Sequence, residues 1–175
     1  MSNVIGNIIA DSLSRGLDYA QRLAAGIPAD QFARFADGKD GPIVSNHPAF
    51  IFGHLSIYAP RIVEQLGHDA APYKLPDDQH DLFAPSATCQ DDPDGSLYPA
   101  MTAIMDRFTT SYQAALQVLR DANDQQFAEV NPAEGRMREL FPTLGSMHAF
   151  YCGGHLMMHM GQLRAWRRMQ GMPSA

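Results

Sequence analysis

Two histidines four residues apart are the first chemically suggestive feature of this chain. They lie in the stretch HAFYCGGHLMMHMGQLRAW, which begins at His148. If the stretch is helical, each residue turns about 100°, so His155 and His159 share a face one turn apart. Two imidazoles so placed can reach the same metal ion. His148, Tyr151, Cys152, Gln162 and Trp166 fall on that face by the same arithmetic. The helix has no carboxylate near the pair, and buried imidazoles without partners are costly. A shared cation supplies a partner.

His54 is the third candidate. It sits in the middle of AFIFGHLSIYAP among apolar residues, which places it inside the fold. A core histidine bonded to a carbonyl or a tyrosine is the plainer alternative for His54 taken alone, and the pair shifts the balance to a triad. Three neutral histidines leave coordination positions open, the arrangement of a catalytic rather than a structural site. Such an ion acts as a Lewis acid toward water or a thiol. Imidazole suits zinc and nickel foremost, with iron and copper also compatible. Tyr58 follows His54 by one helical turn and Arg61 by about two. Arg61 is a candidate to grip an anionic substrate or thiol cofactor, and pairing with an acid at the bundle end is its alternative. Tyr58 is a candidate acid–base group or a core residue, and Gln162 can orient a ligand histidine. His148 lies two turns before His155, roughly 10 Å away, too far for the same ion but suited to a pocket entrance. Cys152 fits the role of a small buried hydrophobe better than that of a ligand. His47 reads as a cap, and His68 and His80 as loop residues.

Four long helices must position these groups. The first runs from Asn3 to about Ala25, with Val4, Ile8, Leu13, Leu17, Ala20 and Leu23 near helical spacing, and stops at Gly26-Ile27-Pro28. Asp30 to Phe35 can add a helical turn, and DGKDGPIVSN reads as turns with no strand pattern. Asn46 or His47 caps the second helix, with Pro48 in its first turn. That helix runs to about Leu66 and stops at Gly67, with a bend or break imposed by Pro60. Residues 68–95, rich in proline and aspartate, read as a long loop able to cover part of the site's mouth. The third helix opens at Ser96, takes Pro99 in its first turn and extends to about Ala122. Its stripe is Met101, Ile104, Met105, Phe108, Tyr112, Ala115, Leu116 and Leu119. The fourth starts near Pro142 or Thr143 and ends at Gly171-Met172-Pro173. A single all-α domain over residues 1–175, a four-helix bundle, is the simplest architecture.

The chain has 175 residues, a net charge of −6 and two cysteines, Cys89 and Cys152. Its densest basic group, Arg164, Arg167 and Arg168, sits at a predicted helix end and forms no strip, so nucleic-acid binding is not expected. The cysteines are too few for a disulfide framework. No signal peptide or membrane span is evident, which makes a cytoplasmic protein the expectation. A low charged share, and Gly153-Gly154 in the middle of an apolar helix, point to a homodimer, with internal helix packing as the alternative.

The segments GHL at 53–55 and HLMMHMGQL at 155–163, closed by RRMQGMP, resemble the DinB/YfiT-like superfamily. NHPAFIFGHL resembles that family's entry to the second helix, and FPTLGSMHAFYCGGH its lead-in to the fourth. Residues 68–95 are the least familiar part. The resemblance implies a four-helix bundle whose metal ligands are His54, His155 and His159. Some members carry a carboxylate where this chain has His155. The superfamily is similar in fold to thiol-dependent S-transferases and to a mycothiol-dependent maleylpyruvate isomerase. It therefore implies a metal-dependent enzyme with a low-molecular-weight thiol as cofactor, and the positions of Tyr58, Arg61 and His148 along their helices make them the candidates near the chemistry. Metal-assisted hydrolysis is the next reading, and a non-catalytic, stress-type metal-binding protein is the alternative.

Overall fold

A computed structural model describes residues 2–173. Its four rods are α1 (Val4–Ala24), a broken second rod of α2 (Pro48–Leu55) and α3 (Tyr58–Gln65), then α5 (Met101–Asp121) and a fourth running from α8 (Leu144–Ala149) to α9 (Leu156–Met169). Short helices fill the connections: α4 (Asp77–Phe83), α6 (Asp124–Ala128) and α7 (Arg136–Leu140). The rods form a closed ring in which α1 packs on α5 and α9, α2 and α3 on α5, and α2 on α9.

The directions of the rods explain the longest connection. Phe52 meets Phe108, and Leu55 accepts a hydrogen bond from the Tyr112 hydroxyl, so α2 and α5 run the same way. Antiparallel neighbours can be joined by a short loop, whereas parallel ones need a crossover that carries the chain back along their length. Residues 66–100 are that crossover. It holds α4 and a turn at Ala71–Tyr73, so the predicted loop carries helix of its own. Arg107 Nη1 ties it to α5 by donating to the Lys74 carbonyl at 2.6 Å. Near its end, Asp92 accepts the backbone N–H groups of Ser96, Leu97 and Tyr98. These bonds hold that segment out of the helix, which is why α5 begins at Met101 rather than at Ser96, with Pro99 ahead of it.

The second rod breaks at Ser56–Ile57. Pro60 has no N–H to offer the Ser56 carbonyl, and its ring crowds that carbonyl. The break thus falls one turn before the proline. Tyr112 stabilises it by donating to the Leu55 carbonyl at 3.1 Å, and the Ser56 hydroxyl donates to the Phe52 carbonyl at 2.7 Å.

Two other predicted elements differ. DGKDGPIVSN contains a small antiparallel hairpin, β1 (Ala36–Gly38) with β2 (Gly41–Ile43), turned at Lys39-Asp40 with Gly41 at φ +122°. On α1 the inward face is Gly6, Ile9, Ala10, Leu13, Gly16 and Ala20, while Val4 and Ile8 are 58% and 65% exposed. Close approach decides the orientation, because a Cβ on Gly6 would stand 2.1 Å from the Leu119 carbonyl oxygen. Only a small-residue face lets α1 lie that near α5.

The fourth rod is not one uniform helix. Thr143 caps it with a reciprocal bond to Ser146, and Phe150–His155 then form a π-helical turn before α9. Such a turn holds one residue more than an α-turn and so shifts the phase of what precedes it by about one residue step. Gly153 packs inside the chain, where a Cβ would lie 3.5 Å from Ser12 Oγ of α1, while Gly154 faces outward.

Replacing Tyr112 with Phe strips the partner from a fully buried carbonyl. The variant is expected to lose about 1–3 kcal/mol of stability in urea unfolding. An unchanged midpoint would show that the break in the second rod does not depend on this bond.

Candidate metal centre

His54 comes from the last turn of α2, His155 from the end of the π turn and His159 from the first turn of α9. Their ligand atoms all lie within 4.8 Å of one another, and the three residues are 6%, 6% and 5% exposed. The antiparallel packing of α2 on α9 makes this meeting possible. Gly53 contributes from the adjacent position. A Cβ there would come 2.2 Å from the buried Phe83 ring, so glycine lets the end of α4 settle against α2.

Partners on the far side of two rings fix their tautomers. His54 Nδ1 lies 2.8 Å from the Phe83 carbonyl, which can only accept, so Nδ1 carries the proton and Nε2 is a bare lone pair. Gln162 Oε1 accepts from Asn46 Nδ2 at 3.1 Å and from His159 Nδ1 at 2.9 Å, which leaves His159 Nε2 bare as well. His155 Nε2 stands 3.2 Å from His159 Nε2. It either donates to that lone pair or turns a second lone pair toward it, and the latter is favourable only around a cation. In both tautomers His155 Nδ1 is buried without a partner. Second-side hydrogen bonds of this kind characterise ligating histidines. The donor set is three neutral imidazoles with no carboxylate, and it fits a divalent ion of borderline softness.

The surroundings keep the triad uncharged. Burial pulls the His155 pKa down to about 3, helped by His159 and His54, and that of His159 down to about 4. Burial lowers His54 too, and the Arg61 cation adds to the effect. The walls are aromatic: Phe50 lies parallel to His54 at 6.0 Å, and the Tyr58 and Phe150 rings stand 4.5 and 5.5 Å from His155.

The other sequence candidates fall in different places. The Tyr58 hydroxyl is 3.4 Å from His54 Nε2, and burial raises its pKa, so it stays protonated. Arg61 is half-buried, with its guanidinium carbon 5.2 Å from the Tyr58 ring centre. His148 does not line an entrance. It is fully buried, its Nε2 pairs with Gln65 Oε1 at 2.9 Å, and its ring neighbour is Phe127. The phase shift of the π turn is the physical reason. Cys152 is buried and outside the triad, its thiol pKa pushed up by burial, and His80 is exposed on α4. Sequence reasoning missed Asn46, Gly53 and the Phe83 carbonyl. Only Gly53 had a signal, the glycine preceding a buried histidine inside a helix.

Changing His54, His155 or His159 singly to Ala is expected to remove most bound metal, measured by elemental analysis after dialysis, whereas His80→Ala keeps it. Full occupancy in all three variants would dissolve the triad. The metal-free fold should also respond to acid. Burial draws the His148 pKa down to about 4, against an ordinary value near 6.5. The unfolded chain therefore binds more protons between those values, so this contribution is intact above pH 6.5 and fades as pH falls toward 4. Urea midpoints of the metal-free protein should drop across that window, and less so in His148→Leu. A slope equal in the two proteins would count against a neutral buried His148.

Among the described residues no helix is long and apolar enough to cross a membrane. Comparison with curated proteins gives no match, and comparison with solved structures gives none either. A family model, that of the DinB superfamily, matches residues 12–163. The match takes in α2, α3 and α5 whole, parts of α1 and α9, and all three triad histidines, and the chain belongs to the DinB superfamily.

Proposed function

We propose that this protein is a metal-dependent enzyme that works through His54, His155 and His159, as a thiol-dependent S-transferase or, second, as a metal-assisted hydrolase. The observation that carries the proposal is the preset tautomer of two ligand rings. The Phe83 carbonyl and Gln162 hold the protons of His54 and His159 on Nδ1, so the Nε2 lone pairs face the centre of the cluster. A divalent ion held there would supply Lewis acidity, which lowers the pKa of water or of a thiol. The protein's own groups do the rest. Tyr58 keeps its proton and can donate it at a position 3.4 Å from His54 Nε2. Arg61 places a permanent cation one ring away from the triad. Phe50, Phe150 and Tyr58 exclude bulk water and strengthen electrostatic effects inside. His148, fully buried against Phe127, has no part in this reading.

A metal-binding role without turnover is the second reading. It is favoured by the low exposure of the triad, 5–6% for each ring. Cobalt substitution separates the two. Small thiols titrated into the cobalt protein are expected to change its visible spectrum through a thiolate-to-metal band. A spectrum indifferent to thiols, with an ion enclosed by protein in a crystal, would favour the inert role.

A further inference from the structure

Across the Tyr58 ring from the triad lies a cleft of about 270 Å³, walled by Ile57, Pro60 and Arg61 on one side and by Lys74, Leu75 and His80 on the other. We propose that this cleft is the substrate-binding subsite, that it takes a small monocarboxylate with an apolar arm, and that Arg61 grips the carboxylate. The inference rests on the enzyme reading above and adds the substrate class.

Four observations support it. Arg61 makes no ion pair with protein among the described residues, although Glu64 lines the same cleft. Glu64 is occupied by Lys74 at 2.9 Å, so both are withdrawn from the competition. The guanidinium rests on the Tyr58 ring, with its carbon 5.2 Å from the ring centre, a cation–π contact that restrains its position. Held at the ring through this contact, the guanidinium keeps N–H groups that no protein acceptor takes among the described residues, and these can bind a carboxylate through two hydrogen bonds.

The opposite wall is fixed as well. Arg107 Nη1 donates to the Lys74 carbonyl at 2.6 Å, so the crossover segment carrying Lys74 and Leu75 is pinned to α5. Ile57, Pro60 and Leu75 give the cleft an apolar floor suited to a short hydrocarbon arm. Charge sets the anion type. Lys74 is taken by Glu64, so among the described residues Arg61 and Asp77 are the charged lining groups outside any ion pair, with His80 at the edge. A dianion such as phosphate meets two acids on the rim, whereas a carboxylate needs only the one cation left without a partner. Size sets the rest, because the volume is below the roughly 300–1,000 Å³ of pockets for drug-sized ligands.

The position completes the argument. Tyr58 touches Arg61 on one side and stands 5.2 Å from the His54 ring and 4.5 Å from the His155 ring on the other. One aromatic ring therefore separates the guanidinium from the triad. A ligand held at Arg61 by its carboxylate can extend its other end past Tyr58 to the reacting centre.

The test uses two probes on the cobalt-loaded protein, 3-mercaptopropionate and its neutral amide. The acid is expected to reach half-saturation of the spectral change at about tenfold lower concentration than the amide. Arg61→Gln should raise the acid's value to the amide's, leaving the amide's response and the metal content unchanged, and Arg61→Lys should keep part of the preference. Equal responses to acid and amide in the wild type would overturn the subsite and leave the metal reading standing. If neither thiol alters the spectrum, the open-metal reading fails instead. The subsite is then decided by titrating propionate while following the Arg61 Nε–Hε resonance: a saturable shift supports it, and no shift overturns it.

Discussion

Three histidines, each 5–6% exposed, share one small volume in which, among the described residues, no carboxylate is placed to compensate them. Two of them, His54 and His159, are satisfied by hydrogen bonds on one side, and all three turn a nitrogen toward a shared space that favours something electropositive. Much of the surrounding structure follows from that demand. α4 must end where the Phe83 carbonyl meets His54, so position 53 must be glycine to admit the Phe83 ring. The segment before α2 must bring Asn46 to Gln162, which in turn aligns His159. The crossover, necessary because α2 and α5 are parallel, thereby also becomes part of the site's support.

The same demand accounts for the aromatic walls. In a polar cavity water would solvate the imidazoles and let them protonate near their ordinary pKa. Behind Phe50, Tyr58 and Phe150 the charged form is penalised, and the rings stay neutral well into acid. Neutral imidazole is the ligating form, so the burial that hinders solvent also prepares the site for a cation. Arg61 works in the same direction: a cation at that distance further disfavours a charged His54.

Much of this was legible in the residues. The spacing of His155 and His159, the apolar setting of His54 and the caps around Pro48 and Gly171 are local signals, and local signals specify helices and their faces. What was not legible depended on distances between elements. Val4 and Ile8 look like core by hydrophobicity, yet α1 turns its glycines inward because a backbone carbonyl of α5 lies behind Gly6. His148 looks like a neighbour of His155 under uniform helical stepping, and the π turn breaks that uniformity. The hairpin at Ala36–Ile43 rests on residues that, Ile43 apart, have little strand propensity, held by the turn and by packing against α9. The Phe83 carbonyl leaves no trace in sequence, since any residue supplies one.

The extra residue in the π turn divides the fourth rod into two gears set one tooth apart. The leading gear, α8, engages α6 and points His148 at Gln65, while the trailing gear, α9, engages α1 and α2 and points His159 at the triad. Outside this rod only α1 packs on both, so against their other neighbours each can accumulate substitutions without retiming the other. Loss of one residue between Phe150 and Gly154 would mesh them into a single phase. Every side chain upstream would then swing by about a quarter turn, and the two halves of the bundle could no longer be satisfied together.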